Sequence, residues 1–207
     1  MVRDQLQARG IRDVRVLDAM RRIPRETFIA PALWPEAYSD APLPIGHGQT
    51  ITQPYMTALM AELLELRGTE KVLDVGTGSG YHAAVLGALA RQVISIERIP
   101  ELADTARENL RHAGLDSNIV VLCGDGSLGV PEQAPFDAIS VAAGSPRIPP
   151  ALLAQLNDPG ILVIPVGDRD EQDLRVVRKE NGKITTRIAS GCRFVPLIGS
   201  EGWRKSE

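Results

Sequence analysis

Val72-Leu73-Asp74-Val75-Gly76-Thr77-Gly78-Ser79-Gly80-Tyr81 decides the fold. Val72 to Val75 is a short apolar run with strand character. Glycines then recur at every second position, and Tyr81 leads into the alanine-rich stretch Ala83 to Ala90, which reads as a helix. A strand, a glycine-rich turn and a helix let a ligand approach bare backbone and a helix N-terminus. The dinucleotide fingerprint Gly-x-Gly-x-x-Gly fits at Gly76 and Gly78, but its third glycine would fall on Tyr81.

The next strand sharpens this. Val93-Ile94-Ser95-Ile96 is β-branched and apolar, and Glu97 closes it. A carboxylate about 20 residues beyond the glycine turn is placed to accept hydrogen bonds from both ribose hydroxyls of a nucleoside. Taken alone, Glu97 reads equally well as a surface residue opening a loop. With the glycine turn it points to a nucleoside-type cofactor. Asp125-Gly126, after a third strand, falls where the polar edge of an adenine slot belongs, although Asp-Gly is also an ordinary turn. Asp74 is expected to orient the glycine loop.

Outward from this centre, strands and helices alternate: strand 72–75, helix 81–90, strand 93–97, helix 100–112, strand 119–123, strand 136–141, a short helix 149–156 and strand 160–166. Alternation implies a doubly wound, mostly parallel α/β sheet of the Rossmann-like kind. Two further runs, 174–178 and 184–188, flank Asn181-Gly182, a strong hairpin signal. On the N-terminal side, residues 4–22 read as an amphipathic helical region broken near Gly10, with Leu6, Val14, Leu17 and Met20 inward and Pro24 as the stop. A proline-rich loop follows. This part shows no strand pattern and reads as a helical cap. Leu43 to Met56 packs glycines, hydroxyls and an amide between prolines, the composition of a loop that closes over a ligand. Thr52 is expected to N-cap a helix over 55–66, with Pro54 in its first turn.

The chain has 207 residues, 43% hydrophobic, with net charge −3. That is enough for one domain: a cap and substrate loop over 1–66, a cofactor core over 71–166 and a C-terminal hairpin and cleft segment over 173–207. No basic stripe suggests nucleic acid, and no apolar run approaches the roughly 20 residues of a membrane span. The N-terminus lacks the apolar core of a signal peptide. A cytoplasmic, monomeric protein is expected. Cys123 and Cys192 match no metal or redox spacing and read as reduced thiols. His47 invites a general-base reading, but an idle loop histidine is preferred. His82 and His112 lie in helical segments without partners at ligand spacing, so no metal is expected.

Several segments together resemble the protein-L-isoaspartate O-methyltransferase family: the loop Leu43 to Met56, Asp74 to Gly80, Gly124-Asp125-Gly126, Ala134-Pro135-Phe136-Asp137-Ala138-Ile139, and Arg193-Phe194-Val195-Pro196-Leu197. The likeness runs from about residue 4 to 198. The glycine motif is common to many S-adenosylmethionine-dependent enzymes; the Gly-x-Gly-Gln-Thr-Ile loop and the Phe-Val-Pro-Leu segment are far more specific. The resemblance implies methylation of the free α-carboxylate of L-isoaspartyl residues in damaged proteins, followed by closure to a succinimide. It implies donor contacts at Thr50, Thr52, Gln53, Asp74, Gly76, Thr77, Gly78, Gly80, Glu97, Asp125 and Gly126, and a substrate cleft lined by Val195, Pro196 and Leu197. The family usually has Ser where this chain has Thr52. Thr keeps the hydroxyl and adds a methyl group near the line of transfer.

A carboxylate with a pKa of about 4 is already ionised at neutral pH, so no general base is required. Thr52 would orient one carboxylate oxygen, and backbone N–H groups near 195–197 would hold the isoaspartyl main chain. The alternatives are a donor-binding family member with little activity, a methyltransferase for another carboxylate, a small molecule or RNA, and, least favoured, a nicotinamide oxidoreductase.

Overall fold

The structure, a computed structural model, describes residues 1–204; the end of the expected 173–207 segment, residues 205–207, lies outside them. The N-terminal helical region is broken as its sequence suggests. Short helical turns over Val2–Leu6 and Gln7–Arg9 end at Gly10, which adopts φ 103°. Helix α1 (Val14–Arg22) is then capped by Asp13, whose side chain accepts the Arg15 N–H at 2.8 Å. This cap sets the helical phase: Val16, Leu17 and Met20 are buried, whereas Val14, expected inside, is 69% exposed. Arg25 is fully buried beyond the helix, with its guanidinium over the Tyr81 ring and its Nε donating to Ala37 O at 2.8 Å. It ties the cap to the first residue after the glycine loop.

Strands β1 (Leu43–Gly46) and β2 (Gln49–Ile51) form an antiparallel hairpin where only loop was expected. Its turn residues His47 and Gly48 have φ 52° and 69°, a pairing that matches the twist of the flanking strands. The strands are only 4 and 3 residues long and contain Pro44, so no period-two pattern announces them. Helix α2 (Pro54–Leu63) starts at its proline.

The main sheet contains β3 (Lys71–Val75), β4 (Gln92–Glu97), β5 (Ile119–Cys123), β6 (Phe136–Val141), β7 (Leu156–Gly167), β8 (Gln172–Glu180) and β9 (Lys183–Cys192), in the order β5-β4-β3-β6-β7-β8-β9. The first five are parallel to one another, and β8 and β9 are antiparallel additions. Asn181 and Gly182, with φ 52° and 73°, turn the final hairpin as their sequence predicts. Helices α3 (Tyr81–Gly87), α4 (Pro100–His112) and α5 (Pro150–Gln155) cover the sheet. Alternate strand residues feed opposite cores. Val72 and Val93 pack with the N-terminal elements and α3, while Leu73 and Ile94 pack with Phe136, Ile139 and Leu152. Because β3 lies between β4 and β6, the chain leaves it in opposite directions on its two sides. The carboxyl end of β3 is therefore the topological switch point, where α/β sheets hold ligands.

Candidate active site

The glycine loop is held in shape from the neighbouring strand. Gly76 N–H donates to Ile96 O at 2.9 Å, and Gly78 N–H donates to Glu97 Oε2 at 2.9 Å. The other carboxylate oxygen, Oε1, accepts Ile99 N–H at 3.0 Å. Gly76 and Gly78 have φ 93° and 54°, and a Cβ on Gly78 would meet Ile45 Cδ1 at 3.2 Å. Glycine is thus required by the turn and by the hairpin passing over it. Gly80, at the loop's end, caps α3, while the Thr77 side chain points inward.

Thr77 belongs to a buried relay. Ser95 Oγ donates to Asp74 Oδ2 at 2.7 Å, so the Thr77 hydroxyl, 2.6 Å from Ser95 Oγ, is the donor in that contact. Asp74 therefore orients the loop as expected, but through Ser95 and Thr77 rather than by direct bonds. Its Oδ1 is buried without a partner. Burial pushes the Asp74 carboxyl up to about 7 against the Ser95 hydrogen bond, and the Glu97 charge adds to the rise.

A cavity opens at the ends of β3 and β4, lined by Gly76, Gly78, Glu97, Gly126 and the apolar Val75 and Ile96. Gln49 and Thr50 of the hairpin close one side, and Val195 to Ile198 the other. Gly126 approaches Val75 so closely that a Cβ would lie 2.6 Å from Val75 Cγ1. A carboxylate beside exposed backbone, with apolar walls, fits the ribose hydroxyls and the base of a nucleoside. The enclosed space is about 90 Å³.

Asp125 is itself engaged by its neighbours. Oδ1 accepts both the N–H and the hydroxyl of Ser127, at 2.9 and 2.7 Å, and Oδ2 accepts Ser200 N–H at 2.7 Å. Burial alone would raise this carboxyl, but the bonds from Ser127 and Ser200 bring it below the ordinary value. Asp125 thus fastens the C-terminal segment across the cavity, and it is Gly126 that reaches the cavity wall.

A wider cleft of about 550 Å³ adjoins the cavity, lined by Thr50, Thr52, Gln53, Tyr55 and, opposite, Phe194 to Pro196. Leu197 lies in the wall of the cofactor cavity instead. Thr52 does not cap α2. The N-cap is Gln53, without a side-chain cap bond, and the half-buried Tyr55 N–H is satisfied by Asp40 Oδ1 at 2.9 Å. With Pro54 as the first helical residue, Thr52 stands one position too early to cap. Its hydroxyl has no hydrogen-bond partner among the described residues, and it faces both the cleft and a narrow slot beside Gly76 to Ser79. The side chain of Gln53 makes no capping bond either.

The 195–197 segment is built from elements that the sequence did not advertise. Gly144 N–H donates to Val195 O and Leu197 N–H donates to Gly144 O, both at 2.8 Å. The buried Gln172 Oε1 accepts Phe194 N–H at 2.8 Å. Trp203 then binds Gly144 O through Nε1 at 3.1 Å. Leu197 N–H is thereby consumed and Pro196 has none, so of the N–H groups expected to hold substrate only that of Val195 lacks a partner among the described residues. Gln172, Gly144 and Trp203 carry no motif; only the stretch they support does. His82, buried on α3, faces Ser140 with Nε2···Oγ 2.9 Å, and burial pushes it down to about 4. His47 is exposed in the hairpin turn, away from these partners. Among the described residues no group of three or more His, Cys, Asp or Glu could hold a metal ion, and no helix is long and apolar enough to cross a membrane.

Comparison with known proteins agrees with this geometry. A family model for protein-L-isoaspartate(D-aspartate) O-methyltransferase matches residues 1–202. The protein-L-isoaspartate O-methyltransferase of Methanoculleus marisnigri is 54% identical over 204 residues, covering 99% of this chain and 92% of the relative. Protein-L-isoaspartate O-methyltransferase 2 of Marinobacter nauticus is 57% identical over 205 residues, covering 98% and 93%. A solved Plasmodium falciparum structure described as a beta-aspartate methyltransferase, in complex with S-adenosyl-L-homocysteine, superposes with TM-score 0.82 at 28% identity, covering 96% of this chain and 97% of that one. The glycine loop with Glu97, the free Thr52 hydroxyl and the Phe194–Leu197 segment are therefore parts of a chain that belongs to the protein-L-isoaspartate(D-aspartate) O-methyltransferase family.

Proposed function

We propose a division of labour among these residues for the family's reaction, the S-adenosylmethionine-dependent methylation of the free α-carboxylate of an L-isoaspartyl residue. The observation that carries it is that Thr50, Ala142, Val195 and Pro196 line both the cavity under the glycine loop and the cleft beside it. The two spaces meet there, so a donor in one and a peptide in the other have a common junction. S-adenosylmethionine supplies the electrophilic methyl group. Glu97 accepts from the ribose hydroxyls while keeping the Gly78 loop in place. Gly76, Gly78 and Gly80 give the backbone its shape, and Asp74 and Thr77 hold that shape from beneath. Gly126 backs the base, with Asp125 keeping the C-terminal segment closed over it. Thr50 lines the junction, and Gln53 lines the cleft beside it.

The substrate carboxylate is ionised at neutral pH, and the chain's task is to strip water from it and aim one oxygen. Thr52 Oγ–H and Val195 N–H are the free donors suited to that. Val195 and Pro196 form the cleft wall, and Leu197 anchors it to Gly144. No side chain needs to accept a proton, which suits a site beside which His82 is buried and neutral. The test is transfer of labelled methyl groups to a peptide containing isoaspartate and to its aspartyl twin. Labelling of the first alone supports the reading, and equal labelling of both overturns its substrate assignment.

A further inference from the structure

We infer that Arg169 reads an acidic side chain on the substrate, close in sequence to the isoaspartyl residue, so that this enzyme favours damage in acidic contexts. The inference rests on the reading that the 550 Å³ cleft holds the peptide. The chain as a whole is acidic, with net charge −3. Its cleft is the reverse: Arg9, Arg169 and Arg193 line it, and no Asp or Glu does.

The three cations are not equivalent. Arg9 lies over the Tyr55 ring at 3.5 Å and pairs with Asp40. Arg193 pairs with Asp170 at 3.1 Å and is largely exposed. Arg169 forms no ion pair among the described residues. Its guanidinium lies over Trp203, 4.9 Å from the ring centroid, and its Nη2 is buried with no hydrogen-bond partner. A buried charged donor without an acceptor is costly, and the cation–π contact with Trp203 holds the guanidinium at the cleft, where its other N–H groups can meet a carboxylate. Trp203 is itself pinned by its N–H to Leu197 O at 2.7 Å and by Nε1 to Gly144 O. The cation is thus held by the segment that forms the cleft wall.

Position then selects the acceptor. Arg169 lines the cleft but neither the cofactor cavity nor the slot beside Thr52 and Gly78. It is thus not among the residues shared by the two spaces, where the reacting carboxylate is placed. A cation on that carboxylate would also stabilise the nucleophile's ground state and slow transfer. The acceptor is therefore a second carboxylate, that of a flanking Asp or Glu.

The test uses isoaspartyl peptides matched except for Glu or Gln at each of the two positions on either side. At low ionic strength the wild-type ratio of kcat/KM, Glu over Gln, is expected to reach about five-fold or more at one position, carried by KM, and to shrink with added salt. Arg169→Gln should bring that ratio towards one, and Arg169→Lys should leave an intermediate value. A ratio near one at every position in wild type, or an unchanged ratio in Arg169→Gln, overturns the inference. Gly191→Trp separates the underlying reading. Gly191 lines the cleft and a Cβ there meets nothing within 4 Å, so the indole should fill the cleft and raise KM for the Gln peptide. An unchanged KM would remove the cleft from substrate binding altogether. A raised KM with a wild-type ratio of one would overturn the role of Arg169 alone.

Discussion

The Glu97 carboxylate accepts the Gly78 N–H at 2.9 Å, so the residue assigned to the ribose also holds the loop over which the ribose would lie. Truncation should therefore weaken donor binding twice over, by losing a ligand acceptor and by loosening the loop. Glu97→Ala is expected to cost at least about 1.5–3 kcal/mol of S-adenosylmethionine affinity, the usual worth of a charge-assisted hydrogen bond. Isothermal calorimetry on a variant shown to be folded is the measurement. Unchanged affinity would remove Glu97 from the donor site.

His82 makes the fold acid-sensitive. Its folded value is about 4 against an ordinary 6.5. Above pH 6.5 the ring is neutral in both states and contributes no slope. As pH falls towards 4 the unfolded chain binds a proton that the folded chain refuses, and stability declines by up to about 3 kcal/mol. Asp74, raised to about 7, acts with the opposite sign: between its ordinary value and 7 the folded chain holds a proton the unfolded chain has lost, so stability declines as pH rises. Denaturant unfolding across this range should show His82→Gln gaining on wild type as pH falls and Asp74→Asn gaining as it rises. Parallel curves for His82→Gln and wild type would contradict the buried neutral imidazole.

What could be read from the chain was whatever is local and repetitive. Val72 to Val75, the spaced glycines and Asn181-Gly182 each announce their structure within a few residues. The β1–β2 hairpin was hidden because Pro44 interrupts a strand of 4 residues and His47 takes a positive-φ position usually given to Asn or Asp. Thr52 was misread as a cap by a single residue, because Asp40, 15 positions upstream, serves the Tyr55 N–H. The bond from Ser200 to Asp125 has no local signature, because its partners lie 75 residues apart. The long-range hydrogen bonds of Gln172 and Gly144 have no sequence signature at all, yet they position the cleft wall.

Gln172 tests that long-range positioning. Gln172→Leu keeps much of the volume but leaves the buried Phe194 N–H without its acceptor. The expected loss is about 1–3 kcal/mol of stability. Because the same bond places the cleft wall, KM for an isoaspartyl peptide should rise more than kcat falls. Thermal unfolding and steady-state kinetics together check this. A destabilised variant with unaltered KM would reduce Gln172 to a core residue.

Thr52 is where the structure separates two roles. A capping Thr would make Thr52→Ala cost about 0.5–2 kcal/mol of stability. The hydroxyl has no such bond, and Gln53 is the N-cap, so the stability of Thr52→Ala should stay within about 0.5 kcal/mol of wild type, as for a substitution that breaks no contact. The effect should appear in turnover instead. If the free hydroxyl aims a carboxylate oxygen, its loss should lower kcat by about tenfold or more, since 1.4 kcal/mol of lost transition-state stabilisation already gives that factor. Thr52→Ser keeps the donor and removes the methyl group beside the Gly76–Ser79 slot. It is expected to be at least as active as wild type. Initial rates on an isoaspartyl peptide at saturating donor, normalised to folded protein, give the comparison. An Ala variant with wild-type kcat would leave Val195 N–H as the sole donor aiming the carboxylate and would make Thr52 a spectator in the wall.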